Sequence, residues 1–132
     1  MQGFAYVSLA TILIVLVYFW TMMAVGRARG TFAIAAPAMT GHPEFERVVR
    51  IQANTLEQIV IVLPSIWLFA AFLDDRIAGL IGLLFVLGRI LYARGYRADA
   101  QKRGMGFMVG GIPTMIAMLG ALVGIVWKGF LG

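Results

Sequence analysis

Residues 44–67 read EFERVVRIQANTLEQIVIVLPSIW, and this stretch decides the fold of the chain. Four of its polar side chains are spaced i, i+3, i+7 and i+10, so they share one face of an α-helix. These side chains, called the polar stripe below, are Arg47, Arg50, Asn54 and Glu57. Most other positions are apolar and suit a membrane, where a charged side chain at mid-bilayer costs about 2.5–3.5 kcal/mol. We therefore predict a membrane helix whose polar stripe either forms a structural ion-pair network or binds a ligand.

The composition of the whole chain is that of a polytopic membrane protein. Of its 132 residues, 61% are hydrophobic, and the mean hydropathy is +0.91, whereas soluble domains are about half apolar. This length allows about four spans of roughly 20 residues joined by short loops. We expect a single all-α membrane domain over residues 1–132, built as an up-and-down bundle of four transmembrane helices. The expected helices cover about residues 4–27, 44–73, 76–98 and 104–128.

Cysteine, histidine and charge content exclude several functions. Because the chain has no cysteine, it cannot form disulfides, thiolate metal sites or a thiol nucleophile of its own. The single histidine, His42, cannot build a metal site alone, so we expect no metal. A net charge of +5 would suggest nucleic acid in a soluble protein. Here the basic residues lie near span ends, so we attribute them to topology and expect no nucleic-acid partner.

The basic residues predict the orientation of the bundle. Nine of the eleven Lys and Arg residues lie in or beside the first and third connections. By the positive-inside rule, loops 28–43 and 98–104 are cytoplasmic and both termini lie on the opposite side. The polar residues of the second and third helices are then expected to open toward the same side of the membrane.

Proline and glycine mark the ends and contacts of the helices. Pro43 suits the first turn of the second helix, where its missing N–H costs nothing. The following Glu44 and Glu46 suit the positive end of that helix dipole. Gly106 and Gly110 form a small-xxx-small pattern that favours close approach of another helix to the fourth one.

A second polar cluster lies on the third helix. Arg89, Tyr92 and Tyr96 are spaced i, i+3 and i+7 and share a face, and Arg103 follows after the helix. Each tyrosine is also compatible with an ordinary interfacial belt position. Arg94, like Arg97 and Lys102, is expected to contact lipid headgroups, so membrane lipids are predicted partners.

The chemistry of the two clusters indicates a ligand with charges of both signs. Glu57 requires a cation as its partner. Because Arg50 is two turns away, we expect this cation to come from another helix or from the ammonium group of a ligand. Arginine side chains bind carboxylates. Gln52 and Asn54 suit amide groups. Together these residues would fit a zwitterionic, peptide-like ligand with two carboxylates.

Three segments resemble the MAPEG family of membrane proteins of eicosanoid and glutathione metabolism. They are EFERVVRIQANTLE at 44–57, the preceding loop PAMTGHP at 37–43, and GRILYARGY at 88–96. The likeness covers nearly the whole chain in order and spacing, and it is to a bacterial-type member. It implies a four-helix bundle that assembles as a homotrimer in the bacterial inner membrane.

The resemblance also implies a site and an activity. Glutathione would be the co-substrate, bound between neighbouring subunits near the cytoplasmic side. Its binding residues would be Arg29, Arg50, Gln52, Asn54, Glu57, Arg89, Tyr92 and Tyr96. Arg103 would stabilise the thiolate as the catalytic residue. The implied enzyme is a glutathione S-transferase, with peroxidase side activity, that acts on hydrophobic small molecules or lipid hydroperoxides.

Two positions depart from the leukotriene-forming members of that family. Gln58 stands where those members have tyrosine, and Gly30 stands where they have a second arginine, so leukotriene synthesis is not expected. Two alternatives remain open. One is a non-catalytic lipid-binding or scaffold protein of the same fold, and the other is an enzyme that uses another low-molecular-weight thiol.

Overall fold

Four long helices account for most of the chain. The structure, a computed structural model, describes residues 3–98 and 104–132. The helices are α1 (Ala5–Phe32), α2 (Pro43–Phe72), α3 (Asp75–Ala98) and α4 (Gly104–Gly124), and a π-helical segment, Ile125–Leu131, continues α4. By length and composition, α1, α2, α3 and α4 with its extension can each cross a membrane. The expected all-α fold with four spans is confirmed.

The helices pack around one apolar core. α1 packs against α2 and α3, α4 packs against the same two helices, and α2 and α3 also touch each other across the bundle. Ile14, Ile66, Phe85 and Ala117, one from each helix, are all buried in this core. α2 and α3, which carry the two polar clusters, are therefore the central pair.

α1 extends beyond residue 27, where the apolar run and the expected helix end. It continues through Gly30 to Phe32, and the hydroxyl of Thr31 donates to the Arg27 carbonyl at 3.1 Å. Ala33 ends the helix in the left-handed conformation, with φ of 54°, and its N–H donates to the Arg29 carbonyl. The first connection is consequently shorter than the expected loop 28–43, and Arg29 lies on the helix instead of in the loop.

The start of α2 follows the expected capping pattern. Pro43 occupies the first turn, and His42 is the N-cap, its Nδ1 accepting a hydrogen bond from the Glu44 N–H at 3.1 Å. The carboxylate of Glu46 accepts from the Gly41 N–H at 3.2 Å, and Gly41 has a φ of 140° that other residues rarely adopt. These contacts set the point at which the polar stripe begins.

A carboxylate of α3 caps the first helix. Asp75 accepts hydrogen bonds from the backbone N–H groups of Tyr6, at 3.1 Å, and Val7, at 2.9 Å. These groups belong to the first turn of α1, where helix geometry leaves N–H groups without internal partners and the dipole favours negative charge. The α2–α3 turn and the start of α1 are thereby joined at one end of the bundle.

A seam of three glycines, Gly88, Gly106 and Gly110, brings α3 and α4 into backbone contact. A Cβ placed on Gly88 would lie 2.5 Å from the Gly110 nitrogen and 2.8 Å from the Gly106 carbonyl oxygen. One placed on Gly106 would lie 2.5 Å from the Cα of Tyr92. The expected close approach at the Gly106–Gly110 pair is confirmed, and this glycine seam positions the backbone of Tyr92.

Candidate functional site

The two polar clusters lie at the same end of the bundle. The short connections place the end of α1, the start of α2, the end of α3 and the start of α4 together. The polar stripe runs along α2 from the first turns inward. Within it, Arg47 and Asn54 are half-buried, whereas Arg50 and Glu57 are more than half exposed in the single chain.

Glu57 has its cation on its own helix, which corrects the sequence expectation. Arg50 Nη1 lies 3.7 Å from Glu57 Oε1. Seven residues of helix rise about 10 Å, and two long side chains that point toward each other along one face can span this distance. Within the described residues Glu57 therefore does not depend on another helix or on a ligand ammonium. The two side chains are 55% and 58% exposed, so both remain accessible from outside the protomer.

Arg89 is the charged residue buried in the centre of the bundle. It is 3% exposed, and its Nη2 donates to the Thr55 hydroxyl at 2.9 Å. Its guanidinium carbon lies 4.0 Å from the centroid of the Tyr92 ring, a cation–π distance. The Nε of Arg89 has no hydrogen-bond partner among residues 3–98 and 104–132. Arg89 thus ties α2 to α3 and retains an unused donor.

Tyr92 and Tyr96 form a stacked pair on the last turns of α3. Their ring centroids are 5.6 Å apart with an interplanar angle of 25°. Tyr92 is buried beside Ile51 of α2, and Tyr96 packs at the edge of the same small cluster. The structure therefore brings Arg89, Tyr92 and Tyr96 together, as their spacing indicates.

Two further predicted residues are engaged elsewhere. The Nη1 of Arg29 donates to the carbonyl of Ala38 at 2.8 Å, and its guanidinium lies 5.2 Å from the centroid of the Phe45 ring. Gln52 Nε2 donates to the hydroxyl of Tyr18 at 3.4 Å. In this protomer Arg29 holds the first connection and Gln52 contacts α1, so neither joins the Arg89 cluster. The predicted catalytic residue, Arg103, lies outside the described residues.

Thr55 and Tyr18 are site neighbours that sequence reasoning missed. Thr55 lies on the buried side of α2, and its hydroxyl donates to the Ile51 carbonyl at 2.7 Å while accepting from Arg89. A signal was available, because Thr55 follows Asn54 directly and is polar within an apolar helix face. Tyr18 likewise places a hydroxyl inside a largely apolar span.

Three polar atoms in this region lack protein partners within the described ranges. They are Arg47 Nε, Asn54 Oδ1 and Arg89 Nε, all shielded from solvent. An unpaired buried polar group costs about 1–3 kcal/mol, so each atom favours a bound partner. Two are donors that suit an anion, and one is an acceptor that suits an amide N–H.

Metal ligands are not clustered in the part of the chain that the structure describes. There, no group of three or more His, Asp or Glu residues is placed to hold a metal ion. The described polar residues of this region offer guanidinium groups, a carboxylate, an amide and two phenols.

Comparison with known proteins identifies the family. The MAPEG family model matches residues 7–123. An uncharacterised protein of Synechocystis sp. is 46% identical over 121 residues, which are 92% of this chain and 88% of that protein. Microsomal glutathione S-transferase 2 of Homo sapiens is 40% identical over 99 residues, 74% of this chain and 67% of that protein. Leukotriene C4 synthase of Rattus norvegicus is 36% identical over 99 residues, which are 75% of this chain and 66% of that protein. With a match across nearly all of its length, this multi-pass membrane protein of four helices belongs to the MAPEG family.

Proposed function

We propose that this protein is an integral-membrane glutathione S-transferase, with peroxidase side activity, that acts on hydrophobic electrophiles or lipid hydroperoxides. The observation that carries the proposal is the set of shielded, unpartnered polar atoms on Arg47, Asn54 and Arg89. Arg47 and Asn54 lie on the same helix as an exposed carboxylate–guanidinium pair, and Arg89 is bonded to that helix at Thr55. The names of two relatives, a glutathione S-transferase and a leukotriene C4 synthase, agree with thiol conjugation.

Glutathione matches the polar groups of this region by its chemistry. It has two carboxylates, one ammonium and two amides. Arg50 would bind a carboxylate, and Glu57 would bind the ammonium, each exchanging its present partner for a ligand group. Asn54 would pair with an amide. Arg29, Gln52, Arg89, Tyr92 and Tyr96 would complete the binding set. Glutathione would serve as a co-substrate.

The exposed side of the stripe supports an intersubunit site. Arg50 and Glu57 face outward from the protomer, and Val60, on the same side of α2, is 66% exposed. A second copy packed on this face would enclose the ion pair and exclude water from the ligand. We therefore propose a homotrimer with glutathione between subunits. We also propose residence in a bacterial inner membrane, with loops 28–43 and 98–104 cytoplasmic and both termini opposite.

Catalysis would depend on ionising the ligand's thiol. An unperturbed thiol has a pKa of about 8.5, so only a few per cent is thiolate at neutral pH. A fixed guanidinium favours the thiolate, and a shift of two units corresponds to about 2.7 kcal/mol. Arg103 is proposed for this role, and the thiol proton would pass to solvent.

Both reactions balance with the thiolate as nucleophile. In conjugation, sulfur forms a bond to an electrophilic carbon and the leaving group departs with its electron pair. In peroxide reduction, sulfur attacks one peroxide oxygen, the O–O bond breaks, and the other oxygen leaves as an alcohol after protonation. A second glutathione then reduces the resulting sulfenic acid, which yields glutathione disulfide and water.

A second candidate function, a non-catalytic lipid-binding protein, is favoured by a groove between α2 and α4. Its volume is about 300 Å³, and its lining includes Gln58, Phe107, Met108, Met115 and Met118. Methionine and aromatic side chains adapt to varied apolar ligands. The same groove would also suit an apolar substrate, so the assay must separate binding from turnover.

The proposal is tested with purified protein in detergent, glutathione and 1-chloro-2,4-dinitrobenzene. We expect glutathione binding by calorimetry, release of chloride with formation of the conjugate, and a large loss of rate in Arg103→Ala with binding retained. Lys128→Ala removes a cation from the other end of the bundle and should leave the rate unchanged. If the unsubstituted protein fails both to bind glutathione and to form the conjugate, the proposal that it is an enzyme is refuted. Absence of glutathione binding would favour the lipid-binding alternative, and turnover only with another small thiol would replace glutathione. Native mass spectrometry should give three copies, and a monomer would contradict the intersubunit site.

A further inference from the structure

A groove runs along the outer surface between α1 and α3. Its volume is about 420 Å³. Its lining includes Leu13, Leu16, Trp20, Val86, Ile90 and Arg94. All but the last are apolar, so this surface accepts hydrocarbon, and Arg94 places a cation at its basic end. None of the described residues assigned to glutathione lines it.

A polar pocket lies beyond the groove, at the basic end of the bundle. Trp20 lines both the groove and a narrow neck of about 10 Å³, and Arg97 lines both the neck and the pocket beyond it. This pocket has a volume of about 290 Å³ and is bordered by Arg27, Arg97, Thr31 and Glu44. The lining residues therefore change from apolar to cationic along the bundle axis.

The charge of this surface is unbalanced. In the described part of the chain, its lining has three arginines, Arg27, Arg94 and Arg97, and one carboxylate, that of Glu44. Among the described residues, none of these arginines lies within ion-pair distance of a carboxylate, and the ion pair in this part of the chain joins Arg50 to Glu57. An anion would therefore meet guanidinium groups that no carboxylate of residues 3–98 and 104–132 pairs with.

The dimensions match one leaflet of a bilayer. From Leu13 to Ala24 the helix rises about 16 Å, which is close to half of the roughly 30 Å hydrocarbon core. Arg27 then lies about one turn farther, at headgroup depth. A lipid with its tail along α1 and α3 would place its phosphate at the arginine pocket.

We propose that this groove and pocket together bind one anionic phospholipid per protomer. Its phosphate lies between Arg27 and Arg97, and one acyl chain follows the α1–α3 groove. The Thr31 hydroxyl and Glu44 carboxylate are placed for the hydroxyl groups of a glycerol headgroup. The excess of arginine over carboxylate favours phosphatidylglycerol over zwitterionic lipids. This site is independent of the proposed glutathione site.

Native mass spectrometry of the full chain in detergent tests the proposal. Phosphatidylglycerol, phosphatidylethanolamine and phosphatidylcholine with identical acyl chains are added in separate titrations. The double variant Arg27→Gln/Arg97→Gln removes the phosphate contacts, and Arg76→Gln/Lys128→Gln removes two charges from the opposite end as its matched control. Leu13→Trp fills the groove, and Phe19→Trp is its control, because Phe19 is 56% exposed and lines neither cavity.

We expect preferential binding of one phosphatidylglycerol per protomer. Each arginine removed should weaken it about tenfold, as expected for a charge-assisted contact, while both controls retain it. Leu13→Trp should weaken the binding of all three lipids.

An unchanged preference for phosphatidylglycerol in the arginine double variant would overturn the proposal. If inorganic phosphate displaces the lipid at a concentration equal to that of the lipid, the pocket is a site for free anions instead. A change of oligomeric mass in Leu13→Trp, without loss of lipid, would assign the groove to a second copy. Should the double variant not fold, the Leu13→Trp comparison still decides whether a tail occupies the groove.

Discussion

Substitution of Gly106 by alanine should separate α3 from α4 and destabilise the protein. The added Cβ would lie 2.5 Å from the Tyr92 Cα and 2.7 Å from the Gly88 carbonyl oxygen. Carbon atoms in ordinary contact are about 3.5–4.0 Å apart, so the helices must move apart by about 1 Å locally. Overpacking costs about 1–3 kcal/mol, and backbone neighbours that cannot change rotamer favour the upper end. For a chain of this size we expect the Tm to fall by on the order of 10 °C.

The measurement is thermal unfolding of the purified protein in detergent, followed by near-UV circular dichroism, with glutathione calorimetry on the folded variant. Gly111→Ala is the matched control, because a Cβ there would meet only Phe107 Cε1, at 3.9 Å. It carries the same gain in helix propensity, about 1 kcal/mol, without a clash. If the two variants melt within about 2 °C of each other, backbone contact at the glycine seam does not limit stability and the reasoning is refuted.

Three smaller perturbations probe other contacts. Thr55→Val should destabilise by about 1–3 kcal/mol, because it removes the acceptor of the buried Arg89, and thermal unfolding checks this; no change would mean that Arg89 finds another partner. Asp75→Ala should cost about 1–2 kcal/mol by uncapping α1, with faster amide hydrogen exchange in its first turn, and unchanged exchange there would contradict the cap. Glu57→Gln should alter the free energy of unfolding by less than about 1 kcal/mol, because the Glu57–Arg50 pair is exposed. The same variant should bind glutathione more weakly, as measured by calorimetry, and equal binding would remove Glu57 from the site.

Much of the fold follows from local rules that the sequence displays openly. Long apolar runs predicted four spans, and the Pro43 start with its acidic first turn was predicted from capping chemistry. The end of α1 was not predicted, because it depends on Thr31 bonding back to the helix and on Ala33 adopting a left-handed conformation. Neither feature has a compositional signature.

The sequence predicts which residues of the candidate site share a helix face, but it predicts fewer of the individual contacts between side chains. Spacing placed Arg89, Tyr92 and Tyr96 together, and the structure agrees. Spacing did not reveal that Arg50 reaches Glu57, because helical neighbours are usually judged at three or four residues, whereas these long side chains span seven. Contacts between helices, such as the one to Thr55, require the rotation of each helix, which a single sequence does not specify.

The glycine seam has a consequence for how freely the sequence of α4 can vary. Because α3 and α4 meet through backbone atoms, the side chains on the opposite surface of α4 contribute little to holding that pair together. Met105, Met108 and Met115 are 73%, 58% and 57% exposed. A combinatorial library that keeps the three seam glycines and randomises this outer surface among apolar residues should retain a large folded fraction. Substitutions on this surface can therefore change which apolar molecules bind from the membrane, while the polar end of the bundle stays unchanged.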